Sequence, residues 1–312
     1  MSTRDDEKKR KKKNKKKPVT DRHQLYQWSV QAPDHEIELL TKMFKRHTGR
    51  KPLSLREDFC GTGLLCAEWV KSLDGRTATG LDIDTSVLAW GTEHNLAPLS
   101  TEQRARVQLL PQDVTKPTKQ KHELIVGFNY SYSVFKTRDA LRAYFKAAHD
   151  SLSDDGIFVI DSYGGWEAIQ PVYEKRRVRD FIYAWEQADY DPISSQILCH
   201  IHFELKDGTK LKKAFTYDWR LWTLTELREL LAEAGFVHSQ VYWEGEDENG
   251  EGSGEFYRVE RVTNDPGWNA YIASVKREPL PGSKDAKRLA NERGPAASAP
   301  KKQSAPKKGA RA

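Results

Sequence analysis

The chain has 312 residues, of which 38% are apolar and 31% charged, with nine tryptophans. That suffices for one large α/β domain with an insertion, or for two small domains, and no apolar run approaches the roughly 20 residues of a bilayer span. The net charge of +6 belongs to the ends: residues 1–18 and 277–312 each balance at +7, which leaves −8 for residues 19–276 and excludes a generally basic folded surface.

Cys60, Cys66 and Cys199 have neither CxxC nor metal-ligand spacing, so free thiols in a reducing compartment are expected and no metal site is predicted. The charged N-terminus has no apolar h-region of a secretory signal. A cytoplasmic protein is expected, or a nuclear one if the organism has a nucleus.

Lys8 to Lys17 is a nearly continuous cationic run. It repels itself and has nothing to bury, so residues 1–18 read as a disordered Lys-rich tail. The Pro-, Ala- and Lys-rich residues 278–312 read as a second disordered basic tail. Residues 19–50 form an N-terminal lid and helix, in which Pro33-Asp34 opens a helix with Ile37, Leu40, Met43 and Phe44 on one face and Gly49 as its stop. Residues 51–277 are the main domain.

There the spacing predicts a strand over Pro52–Cys60, a helix from Gly63 to Leu73, a strand over Thr77–Asp82 and a helix from Ser86 to His94. Strands over Val107–Pro111 and His122–Phe128, a helix over Thr137–Leu152 and the apolar strand Ile157–Asp161 follow. Residues 163–222 read as a β-rich insertion with strands at Arg177–Ala184, Ser195–Glu204 and Leu211–Tyr217. Thr223 to Glu226 is a capping box for a helix that Gly235 ends. Val237–Trp243 and Asn269–Arg277 are the last two strands, joined by the acidic, Gly-rich loop Gly245–Gly254. The fold expected is α/β: a doubly wound, mostly parallel seven-stranded sheet with a small antiparallel β insertion after strand 5.

The strongest motif is Glu57-Asp58-Phe59-Cys60-Gly61-Thr62-Gly63, between a strand and a helix. Gly61 and Gly63 let the backbone turn and approach a ligand, and the helix N-terminus presents free N–H groups. Asp82, nineteen residues after Gly63, ends the second strand, where a carboxylate can accept both hydroxyls of a ribose. Gln112-Asp113-Val114, after the third strand, can frame an adenine edge.

In these three elements the chain resembles the class I S-adenosylmethionine-dependent methyltransferases. The resemblance covers about residues 50–162 and 223–277. It implies S-adenosyl-L-methionine as cofactor, with Glu57, Cys60, Gly61 and Gly63 in the first loop, Asp82 and Ile83 at the second strand, and Asp113 and Val114 at the third. Phe59 departs from the pattern, since it stands where that family's first glycine is usual. A nicotinamide dehydrogenase is the nearest rival, but it wants a small third residue where Cys66 stands and a second mononucleotide half where this chain has its insertion.

For the acceptor, Asn129 and Tyr132 lie after the fourth strand in Phe128-Asn129-Tyr130-Ser131-Tyr132, a segment similar to an amino-methyltransferase loop without its prolines. Asn129 serves as a candidate for cofactor contact as well. Asp161, at the end of the fifth strand, and Tyr217, Trp219 and Arg220, in the insertion, complete the set of candidate catalytic residues. Tyr26, in the aromatic stretch Tyr26–Gln31, is the candidate lid residue over the cofactor. His200 and His202 read as structural. A small-molecule acceptor is the leading expectation. The alternatives are an RNA or protein methyltransferase that touches polyanions through its Lys-rich tails, and a non-catalytic nucleotide-binding protein.

Overall fold

A computed structural model describes residues 21–248, 252–278 and 283–285; the two tails expected to be disordered lie outside the described residues, apart from 278 and 283–285. Two helices open the chain, α1 (Arg22–Val30) and α2 (Pro33–Thr48). Pro33 starts α2, Asp34 and Glu36 sit in its first turn, and Gly49 ends it at φ 85° while its N–H donates to the Lys45 carbonyl.

The main domain alternates as its periodicity predicts. It runs β1 (Ser54–Asp58), α3 (Leu64–Ser72), β2 (Thr77–Asp82), α4 (Thr85–Gly91), the single turn α5 (Thr101–Arg104), β3 (Val107–Pro111), β4 (His122–Gly127), α6 (Arg138–Ser151) and β5 (Leu152–Gly164). Asp84 caps α4 by accepting from Ser86 and Val87, and Thr137 caps α6. After the insertion come α7 (Leu224–Glu233), whose Thr223–Glu226 capping box forms in both directions, then β10 (His238–Glu246), β11 (Gly252–Val259) and β12 (Trp268–Val275).

The strands order as β11-β10-β12-β5-β4-β1-β2-β3. β1 to β5 are parallel, and β12, β10 and β11 join antiparallel. α2 and α3 pack Leu40, Phe44 and Trp69 on one face against Leu55, Val126 and Val159. On the other face α6 and α7 pack Phe145, Leu227 and Leu230 against Ile125, Phe158 and Ile272. This is the doubly wound architecture, with eight strands rather than seven. The extra strand is β11, whose Phe256–Val259 pairs with Val241–Glu244 beyond the acidic loop.

Between β5 and α7 a separate antiparallel sheet runs β6 (Val172–Val178), β7 (Phe181–Asp191), β8 (Gln196–Leu205) and β9 (Lys210–Arg220). The strand expected over Arg177–Ala184 is in fact a hairpin corner: Arg177 and Val178 end β6, Arg179 turns at φ 50°, and Phe181 starts β7. The inner face of this sheet packs Phe181, Ile201 and Phe203 against Leu25 of α1. Among the described residues no helix is long and apolar enough to cross a membrane.

Candidate active site

The loop after β1 turns on three residues with positive φ: Phe59 at 56°, Gly61 at 52° and Gly63 at 63°. A Cβ on Gly61 would meet open space, so this stretch of backbone faces outward, whereas one on Gly63 would strike the Leu109 side chain at 2.7 Å. Phe59 takes the left-handed conformation that a glycine would take there. Its ring packs 5.4 Å from Tyr144 and 6.0 Å from Phe135, which offsets the backbone strain. Below it, Arg56 and Asp58 form a fully buried ion pair at 2.7 Å.

The loops at the C-terminal ends of β1, β2 and β3 are stitched together. Asp82 accepts from the Gly61 N–H at 2.8 Å and from the Asp84 N–H at 2.9 Å, one bond to each carboxylate oxygen. The Gln112 N–H donates to the Asp82 carbonyl. Ile83, beside Asp82, is 78% exposed although apolar. Asp113 accepts from the Thr115 N–H and hydroxyl, both at 2.8 Å, and the Thr115 N–H above all holds its carboxyl below the usual range. That carboxylate therefore caps its own turn, and Val114 beside it is buried.

Cys60 is also buried. Its thiol lies where a Cβ on Gly80 would be, so the residue turns its side chain inward and its N–H donates to Leu81. Glu57 is buried and accepts from the Cys66 thiol at 3.1 Å. Burial, then the charge of Glu36, pushes its carboxyl up to about 8 against the bond from Cys66.

Two side chains fix the middle of the glycine loop: Gln27 of α1 donates to the Thr62 hydroxyl at 2.7 Å, and Asn95 donates to the Thr62 carbonyl. At the start of α1, Trp90 donates its indole N–H to Asp21. Along the same helix, the Tyr26 ring lies 4.9 Å from Phe215 of β9.

Next to these loops lies a cavity of about 960 Å³ between the two sheets. It brings together Tyr26, Asn129, Asp161, Tyr217 and Trp219, five residues that the sequence singled out, and adds Glu36, Tyr130, Tyr163, Trp185 and Tyr271. Tyr217 stacks on Trp219 at 4.4 Å, and Tyr130 packs 4.6 Å from Tyr163 and 6.3 Å from Trp219. Asp161 organises the loop after β4 by accepting from the N–H groups of Asn129 at 2.7 Å and Tyr130 at 2.9 Å, both residues at positive φ. Enclosure pushes the Asp161 carboxyl up to about 7 against those two bonds, and Glu36 rises to about 7 through enclosure and then the nearby charge of Asp161.

Two of the candidate catalytic residues lie elsewhere. Tyr132 is 2% exposed and packs in the core beside Phe145, because the strained turn at Asn129 and Tyr130 sends the following 3-10 turn back under the sheet. Arg220 follows Trp219 and so faces the opposite side of β9. It donates to the Lys136 carbonyl, pairs with Glu226 at 2.9 Å and lies over the Trp222 ring, a role in joining the insertion to α7. His200 and His202 bond Thr216 and Glu186. The signal for Glu36 was present in the sequence: it lies four residues before Leu40 and eight before Phe44, on the stripe that α2 buries.

No protein-family model matches the chain, and no curated protein matches it in sequence. The fold is that of the S-adenosylmethionine-dependent methyltransferases. The chain is similar to a S-adenosylmethionine-dependent methyltransferase from Clostridium acetobutylicum, with a TM-score of 0.58 and 17% identity over 82% of this chain and 98% of that one. CcbJ methyltransferase from Streptomyces caelestis gives 0.58 and 15%, covering 80% and 97%. CalS10, an amino pentose methyltransferase from Micromonospora echinaspora, solved with its methyl donor bound, gives 0.56 and 13%, covering 81% and 95%.

Proposed function

We propose that this chain is an S-adenosylmethionine-dependent methyltransferase whose acceptor is a small molecule held between the two sheets. The observation that supports it most directly is the joining of the glycine loop to Asp82 beside an aromatic cavity that Asn129 and Asp161 border. In this reading the free lone pairs of Asp82 take the ribose hydroxyls and exposed Ile83 covers one face of the adenine. Asp113 and the Val114 backbone border the adenine edge. Glu57 and the backbone from Cys60 to Gly63 hold the methionine end, with Asn129 near its methyl-bearing sulfur.

The bound cofactor supplies an activated sulfonium methyl. The chain's own residues then position the acceptor and exclude water. Tyr26 and Gln27 close the site from α1, and rigid Trp185, Tyr217 and Trp219 wall the acceptor at low entropic cost. The volume of the cavity, within the range of small-ligand pockets, and its lining by Glu36, Asp161, Glu174 and Glu244 against Lys175 and Arg176 support a small acceptor over a polyanion. CalS10, named for an amino pentose, adds the same support at the level of fold.

The test is titration calorimetry with S-adenosylhomocysteine, followed by labelled methyl transfer to a panel of amines, phenols and carboxylates. Saturable binding is expected, then transfer to a member of the panel. A folded protein that does not bind S-adenosylhomocysteine overturns the reading.

A further inference from the structure

We propose that Glu36 and Asp161 form a carboxylate pair that selects a cationic amine as acceptor, and that Glu36 takes the ammonium proton before the methyl moves. This rests on the methyltransferase reading and names the substrate class of its site. The two residues come from different elements, α2 and β5, and line the same cavity, where the Asp161 charge reaches Glu36. Among the described residues neither has an ion-pair partner, although both are half-buried in the cavity wall. Two enclosed carboxylates without a countercharge are costly unless a cation arrives with the ligand.

The two cations in the cavity wall, Lys175 and Arg176, form no ion pair with either carboxylate among the described residues. Arg176 is committed to the Ser29 carbonyl and lies over the Tyr183 ring, and Lys175 lies near Tyr173. Glu174 and Glu244 add negative charge, Glu57 behind the glycine loop is held in its neutral form up to about 8, and His35 lies tilted against Phe256. The Tyr163 hydroxyl, in the cavity wall, is buried and has no hydrogen-bond partner among the described residues, so it remains available to an ammonium's neighbouring polar group. Stacked Tyr217 and Trp219 offer ring faces that suit a cation.

Asp161 is pinned in place by two backbone N–H groups, so its carboxylate orients the ammonium. Glu36, whose carboxylate is reached among the described residues only by the Ala32 backbone, is the member able to accept a proton. The step balances: the ammonium gives one proton to the Glu36 carboxylate, leaving a neutral amine and a carboxylic acid. The amine lone pair then forms the new C–N bond as the C–S bond breaks, and the product leaves as a methylammonium with the thioether.

The experiment uses the full chain saturated with S-adenosylhomocysteine and two matched probe pairs, phenethylamine against 2-phenylethanol and glucosamine against glucose. Calorimetry should show at least one amine bound about tenfold or more tightly than its hydroxyl counterpart, as one charge-assisted bond gives. That preference should grow as pH rises through about 7 and the pair ionises. Glu36→Gln should bring the preference within about threefold and flatten the pH profile, while Glu36→Asp keeps part of both. An amine preference that survives Glu36→Gln overturns the proposal, and so does its absence from the wild type, including binding of neither amine while S-adenosylhomocysteine binds. A tenfold loss of S-adenosylhomocysteine affinity in Glu36→Gln would give Glu36 to the cofactor and overturn it too. If the wild type fails to bind S-adenosylhomocysteine, the methyltransferase reading itself is lost.

Discussion

Asp82 offers the sharpest test of the cofactor site. A carboxylate has about four lone-pair positions, and in Asp82 two of them accept from Gly61 and Asp84. One position on each oxygen is left, which suits a pair of vicinal hydroxyls. Asp82→Ala removes two charge-assisted bonds of about 1.5–3 kcal/mol each, less a share because water competes at a partly exposed group. The expected net loss is about 2–4 kcal/mol, or roughly thirty- to a thousandfold in the Kd for S-adenosylhomocysteine. Asp82→Asn should fall between that variant and the wild type, because one oxygen survives while the new amide sets a donor against a backbone N–H. Calorimetry gives the Kd and thermal melting shows that the variant is folded. A folded Asp82→Ala protein that binds within about threefold of the wild type would refute the reasoning.

Two further outcomes follow from local geometry. A Cβ on Gly91 would lie 2.1 Å from the Thr62 carbonyl, a backbone atom that no rotamer change can move. Gly91→Ala should therefore cost about 1–3 kcal/mol in denaturant unfolding and weaken S-adenosylhomocysteine binding; wild-type values for both would show that the contact is soft. Glu36 and Asp161 stand near 7 and Glu57 near 8, all raised above their unfolded values by enclosure. The folded state thus binds these protons more tightly, so the stability they contribute is full at low pH and is lost as pH rises toward 8. The melting temperature of the ligand-free protein should fall between about pH 5 and 8, and less so in Glu57→Gln, whereas identical profiles for the two proteins would contradict it.

The parts of the fold that were legible in the sequence are those dictated locally. The glycines at 61 and 63, the acid ending β2 and the unbroken apolar run of β5 each impose a conformation or a layer on their own. β6 was missed because Val172–Val178 is mostly charged and lies exposed at a sheet edge, so no alternation marks it. β11 was missed for a related reason: Gly252–Val259 follows an acidic, glycine-rich stretch and acquires order by pairing with β10. Arg220 was counted into the site as the charge in the aromatic stretch before the capping box, although strand alternation puts it on the face opposite Trp219. Tyr132 could not be placed without the left-handed turn at Asn129 and Tyr130, which depends on Asp161 more than thirty residues away.

The nine residues of α1 grip both sheets at once. Gln27 holds the glycine loop at Thr62, while the next turn touches the insertion, where Arg176 donates to the Ser29 carbonyl and Arg179 lies over the Trp28 ring. A short helix fastened at both ends behaves as one cooperative unit and detaches as one. Any fraying of α1 that breaks the Gln27 bond therefore loosens the wall of the neighbouring cavity in the same event, while Asn95 still holds the Thr62 carbonyl. The two compartments share this helix as a latch, so the opening of one is coupled to the opening of the other.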